Sequence, residues 1–110
     1  MKVCVIQPPY SYDWAKLDEN FAKLLSMMDE CGETMDLIVI PEYADVPADT
    51  KDNAAFFAAI DKNGPALLSH ASATAKRTHA LVFVNAMDHT PTGYRNTTFA
   101  FDRDGKLEKK

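Results

Sequence analysis

Few of the 110 residues have both the type and the placement to do chemistry. Glu42 is the most prominent, because it follows Asp36-Leu37-Ile38-Val39-Ile40-Pro41, an apolar, β-branched run closed by proline. A carboxylate at the end of a buried strand starts from a low-dielectric setting, where burial raises its pKa and makes it a better base. The competing reading is a plain strand cap that faces solvent. Cys4 and Cys31 fit no metal-ligand spacing, and each reads as a small apolar side chain, one in a strand and one at a helix end. Without a secretory address, no disulfide is expected between them. His70, His79 and His89 lack zinc spacing and read as structural or solvated, while Asp45, Asp49 and Asp52 read as a solvated acidic loop. Asn96-Thr97-Thr98 matches a glycosylation sequon by chance. The chain has no GxGxxG, P-loop or nucleophile elbow, so neither cofactor nor metal is expected.

The elements that must carry these groups alternate in period. Val3–Ile6 is a short strand ended by Gln7-Pro8-Pro9, since proline lacks an N–H and holds its predecessor extended. Asp13 caps a helix whose apolar stripe is Trp14, Leu17, Phe21, Leu24, Leu25 and Met28, and Gly32 is placed to end it. Trp14, Phe21, Phe56, Phe57 and the methionines at helical spacing are predicted core rather than a cofactor box. Residues 36–40 are predicted to form a strand buried on both faces, parallel to the first because a helix-length crossover joins them. Asn53–Ile60 is predicted helical, with Asn63-Gly64-Pro65 breaking it and starting another helix faced by Leu67, Leu68, Ala71 and Ala75. Ala80–Asn85 is a third buried strand. Tyr94–Asp102 follows the Thr90–Gly93 turn as an antiparallel neighbour, and Asp102-Arg103-Asp104-Gly105 makes a second hairpin turn. The order βαβα(α)ββ predicts a mixed α/β fold whose site lies beyond the carboxyl ends of the parallel strands, at Gln7-Pro8-Pro9 and Pro41-Glu42-Tyr43.

Composition removes several classes of function. With 46% apolar and 25% charged residues, the chain is neither disordered nor fibrous, and it has no run long enough to span a membrane. Its net charge is −4, and the first 62 residues carry twelve acidic and five basic side chains. Such a surface offers no basic stripe for nucleic acid, which leaves a small substrate or a protein as partner. The absence of a signal-peptide core points to the cytoplasm.

Together these phrases resemble the start of a carbon–nitrogen hydrolase domain of the nitrilase superfamily. The resemblance runs from the strand ending at Gln7, through Asn20-Phe21 and Asp36–Tyr43, to Tyr94-Arg95-Asn96-Thr97 and Phe101–Lys106. It implies the N-terminal portion of a four-layer α-β-β-α sandwich, to which residues 1–110 contribute part of two sheets and one helical layer. It also implies a Glu–Lys–Cys triad acting on a small-molecule amide or nitrile, with Glu42 matching the glutamate, and self-association into a homo-oligomer. Lys109 and Lys110 fall slightly before the position of the family's lysine, and neither Cys4 nor Cys31 matches the motif of its cysteine. The chain alone is therefore expected to be inactive, with the rest of the domain lying beyond it. A metal-dependent phosphodiesterase-type sandwich and a non-catalytic interaction module are the alternatives.

Overall fold

The β-branched runs at Val3–Val5, Leu37–Ile40 and Leu81–Thr90 form strands β1, β2 and β3, and a computed structural model describes them within the whole chain, Met1–Lys110. β4 (Gly93–Phe101) and β5 (Leu107–Lys109) complete a single five-stranded sheet in the order β1-β2-β3-β4-β5. β1, β2 and β3 are parallel, while β4 and β5 return antiparallel. All strands lie in one sheet, so the expected contribution to two sheets does not occur. The consecutive hairpins after β3 extend the sheet at its edge instead of crossing to a second layer.

Two helices cover one face. Asp13 accepts a hydrogen bond from the Ala15 N–H and caps a single 3-10 turn, Trp14–Lys16, from which α1 (Leu17–Asp29) continues. Asp52 caps α2 (Asn53–Thr78) by accepting from Ala55 N–H at 2.8 Å, an interaction that contributes about 1 kcal/mol. Leu24, Met28 and Leu67 from the helices meet Ile38, Val82 and Val84 from the sheet, all fully buried. Each such aliphatic side chain contributes roughly 1.5–3 kcal/mol on burial. Arg77, in the last turn of α2, donates to the carbonyls of Cys31 and Met28 at 2.7 and 3.1 Å, tying α2 to the end of α1.

Several expectations are corrected. α2 runs unbroken through Asn63-Gly64-Pro65. Pro65 lies on the exposed face, where water can reach the carbonyl it leaves unpaired, and buried Asn63 anchors the helix on its other side by donating to the Asp45 carbonyl at 3.0 Å. α1 ends at Asp29, before Gly32. Trp14 and Phe57 are not core: Trp14 is half exposed, with the Lys51 ammonium 5.3 Å from its ring centre, and Phe57 stacks on Tyr94 at the surface. β2 is covered on one face only, since Ile38 and Ile40 are buried while Leu37 and Val39 remain partly accessible. On that same open face Val3, Val5 and Phe83 are exposed. No helix is long and apolar enough to cross a membrane.

The β4–β5 turn is fitted closely to α2. Gly105 has φ +80°, and a Cβ there would lie 2.6 Å from the Ser72 carbonyl oxygen, while the Ser72 hydroxyl donates to the Gly105 carbonyl. A side chain at this position meets both backbone strain and a clash. Gly105→Ala is expected to lower stability by about 2 kcal/mol or more, read as a drop in the urea midpoint at unchanged slope. An unchanged midpoint would show that the turn is not held against the helix.

Candidate active site

β3 outruns β2. Ile40, the last residue of β2, pairs with Val84, but β3 continues to Thr90 and its hairpin partner β4 returns from Gly93. The strand therefore reaches five residues further than the predicted Ala80–Asn85, and His89 belongs to it and stacks on Tyr94 with ring centres 4.3 Å apart. The overhanging hairpin forms a wall beside the end of β2, where Glu42 emerges.

The chain turns sharply there because Tyr43 adopts φ +66°, a left-handed conformation that costs a bulky residue about 1–3 kcal/mol. Val46 N–H closes the turn on the Tyr43 carbonyl at 3.1 Å. Beyond it, residues 44–48 are buried. Three polar side chains hold this segment. Asn20 of α1 donates to the Pro47 carbonyl at 3.1 Å, Asn63 of α2 donates to the Asp45 carbonyl, and the Asp45 carboxylate accepts from Met87 N–H of β3 at 2.9 Å. The segment after β1 joins them, with Asp49 N–H donating to the Ser11 carbonyl at 2.8 Å.

Asp45 is thus not part of a solvated loop; it is 4% exposed. Burial pushes its carboxyl above the usual range, opposed by the Met87 N–H and by the N–H groups of Asp45 and Val46. Asp49 and Asp52 are exposed as expected. The Tyr10 hydroxyl donates to Asp49, and that hydrogen bond, with burial second, pushes the Tyr10 phenol up to about 12, so it stays protonated.

Glu42 is exposed in this chain, so the low-dielectric setting expected for it is not supplied by residues 1–110. Its position is nevertheless defined. Asn96 of β4 donates through Nδ2 to Glu42 Oε1 at 2.6 Å across 54 residues of sequence. Register places Asn96 opposite Met87, beyond the end of β2 on the face away from the helices. Glu42, Tyr43, Phe56, Asn85, Met87 and Asn96 line a cleft of about 220 Å³, and a neighbouring hollow of about 210 Å³ adds Tyr10 and Asp49. A carboxylate with one oxygen fixed by an amide N–H is suited to accept a proton at the other. The sequon reading had given Asn96 no role; its alternation with Thr98 and Ala100 on β4 was the signal available.

The other candidates lie elsewhere. Lys110 pairs with Asp88 at 2.8 Å, and neither it nor Lys109 forms an ion pair with Glu42. His70 meets Asp29 at 2.8 Å, bridging the helices, and His79 ends α2 in a left-handed conformation. A hollow of about 270 Å³ beside Trp14 contains Asp18 and Lys62, which pair with each other at 3.4 Å. Cys4 and Cys31 are both free thiols beneath the helical layer.

A largely parallel sheet covered by helices on one face, with a carboxylate held at the carboxyl end of β2, defines a mixed α/β fold. A family model described as carbon–nitrogen hydrolase matches residues 2–110, and the chain belongs to that family. Solved structures agree on the fold. A carbon–nitrogen hydrolase from Helicobacter pylori superposes with a TM-score of 0.65 at 20% identity, over 97% of this chain and 37% of that one. An N-terminal amidase gives 0.74 at 15% identity, over 99% and 27%. The C. elegans NitFhit protein gives 0.70 at 16%, over 96% and 25%. The chain therefore spans about a quarter to two-fifths of the length of these proteins. Comparison with curated proteins returns no match. Family membership sets aside the metal-dependent phosphodiesterase alternative.

The raised pKa of Asp45 has a definite consequence for stability. A carboxyl whose folded pKa exceeds its unfolded value near 3.8 binds protons more tightly in the folded state. Its contribution is fully present below that value and is lost as pH rises through the folded pKa. Asp45→Asn removes this loss, so the difference in urea midpoint between variant and wild type should move in favour of the variant as pH is raised from 3.8 towards neutrality. A difference independent of pH would contradict the burial argument.

Proposed function

We propose that Glu42 is the general base of a cysteine-dependent hydrolase acting on non-peptide carbon–nitrogen bonds, amide or nitrile. The observation that carries this reading is the Asn96 hydrogen bond, which fixes one carboxylate oxygen at the mouth of a cleft. In this scheme the other oxygen takes the proton of a cysteine thiol. The thiolate attacks the amide or nitrile carbon, a lysine stabilises the charge that develops, and water then cleaves the acyl-enzyme. The lysine and the cysteine are supplied outside residues 1–110. Cys4 and Cys31 do not take the part of the nucleophile, since neither lines the cleft beside Glu42. The 110-residue chain alone is accordingly inactive.

Tyr10, Tyr43 and Phe56 give the cleft an apolar rim able to hold the body of a small substrate beside the carboxylate. Self-association belongs to the same reading, with the uncovered apolar face around Val3, Val5 and Phe83 favouring burial. A cytosolic setting would keep both thiols reduced.

In a protein containing this chain and the full triad, Glu42→Gln is expected to reduce amide turnover by about 10²–10⁴ while leaving the fold intact. Turnover retained at the wild-type level would refute the role of base. Asn96 acts through Glu42, as a positioning residue. Asn96→Ala is expected to lower kcat about tenfold, the equivalent of one lost hydrogen bond to a charged group, with KM changed little. A change confined to KM would place Asn96 in substrate binding instead.

A further inference from the structure

Cys4 and Cys31 come from distant parts of the chain and meet on the side of the fold that Glu42 does not use. Cys4 lies on the helix-facing side of β1, half-buried, and Cys31 follows the C-terminus of α1, buried. Their sulfurs are 3.7 Å apart, 27 residues distant in sequence. A disulfide needs a separation of about 2.05 Å, so side-chain rotation with a modest shift of the edge strand would close the gap. β1 is suited to that shift, being only three residues long and at the edge of the sheet.

We propose that Cys4 and Cys31 form a built-in dithiol site, oxidised to an intramolecular disulfide by small peroxides and reopened by thiols. The two sulfurs have different surroundings, which sets the order of events. Burial, and then the hydrogen bond with Cys4, push the Cys31 thiol up to about 11, so it stays protonated. The Arg77 guanidinium opposes this only in part, because it is engaged with the Cys31 and Met28 carbonyls. Glu30, the neighbouring carboxylate, acts in the same direction as burial. Cys4 is the more accessible thiol and reacts first.

The Cys4 thiolate attacks one peroxide oxygen; the S–O bond forms, the O–O bond breaks and hydroxide leaves. The Cys31 sulfur then attacks the sulfenic sulfur as its proton passes to the departing hydroxyl, giving the disulfide and water. Overall, two thiols and one peroxide yield one disulfide and two waters. The cysteines lose two electrons to the peroxide oxygens, so no further reactant is required. The product staples edge strand β1 to the end of α1, closing a loop that contains all of α1.

The test uses the purified chain under dilute native conditions with hydrogen peroxide. The intact mass should fall by about 2 Da and recover with dithiothreitol; this loss should be absent in Cys4→Ser and in Cys31→Ser, the latter instead gaining about 16 Da as the unresolved Cys4 sulfenic acid. Proteolysis without reductant should yield one linked peptide containing both residues, and the melting temperature should rise by about 10 °C. Because the fold pre-positions the pair, bridging in buffer should exceed bridging in concentrated urea by at least about tenfold. Equal rates in the two solvents would overturn the proposal even if a serine variant failed to fold. Sulfinic acid or intermolecular disulfides forming in place of the bridge would overturn it as well.

Discussion

The site depends on a mismatch in strand length. β2 stops at Ile40, but β3 continues to Thr90, leaving a stretch of β3 edge without a strand beside it. Unpaired backbone N–H groups next to a buried segment are costly, and the Asp45 carboxylate meets this need by accepting from Met87 N–H. It does so from the loop that starts at Glu42, so the same interaction supports the overhanging hairpin and fixes the course of the site loop. The cost is a carboxylate kept 4% exposed, tolerated because backbone donors surround it.

Around that contact the two helices serve the site as much as the core. Asn20 and Asn63 each use a buried amide to hold a loop carbonyl, which ties the path of residues 44–48 to the packing of α1 and α2 on the sheet. With the loop fixed from below, the left-handed turn at Tyr43 can persist, and it directs Glu42 towards Asn96. Local strain of this kind survives only where the surroundings over-determine the backbone. The arrangement links helix packing to the position of one carboxylate oxygen. It also explains how Glu42 can be exposed in this chain and still well placed.

Much of the fold was legible in the sequence. Apolar period gave α1 and the parallel strands, Asp13 lay where an N-cap belongs, and proline and glycine marked the hairpins. The errors share a cause. Pro65 was read as a break because local rules do not know that it faces water, and Trp14 was read as core because a helical stripe does not show where the neighbouring helix ends. β3 was cut short because the Asn85–Thr90 segment is stabilised by its pairing with β4, a non-local gain invisible to propensity.

The position of Glu42 after an apolar strand and before a turn was set by sequence alone, as was the family phrase that contains it. Sequence also set the α/β order, since hydrophobic period and turn residues act locally. Only the tertiary structure decided that Asn96 would hold Glu42, that Asp45 would be buried rather than solvated, and that Cys4 and Cys31 would meet. Each of these is a contact between residues 27 to 54 positions apart. Such distances are set by sheet register and helix packing, where every side chain's surroundings depend on all the others, and no residue type or spacing encodes them on its own.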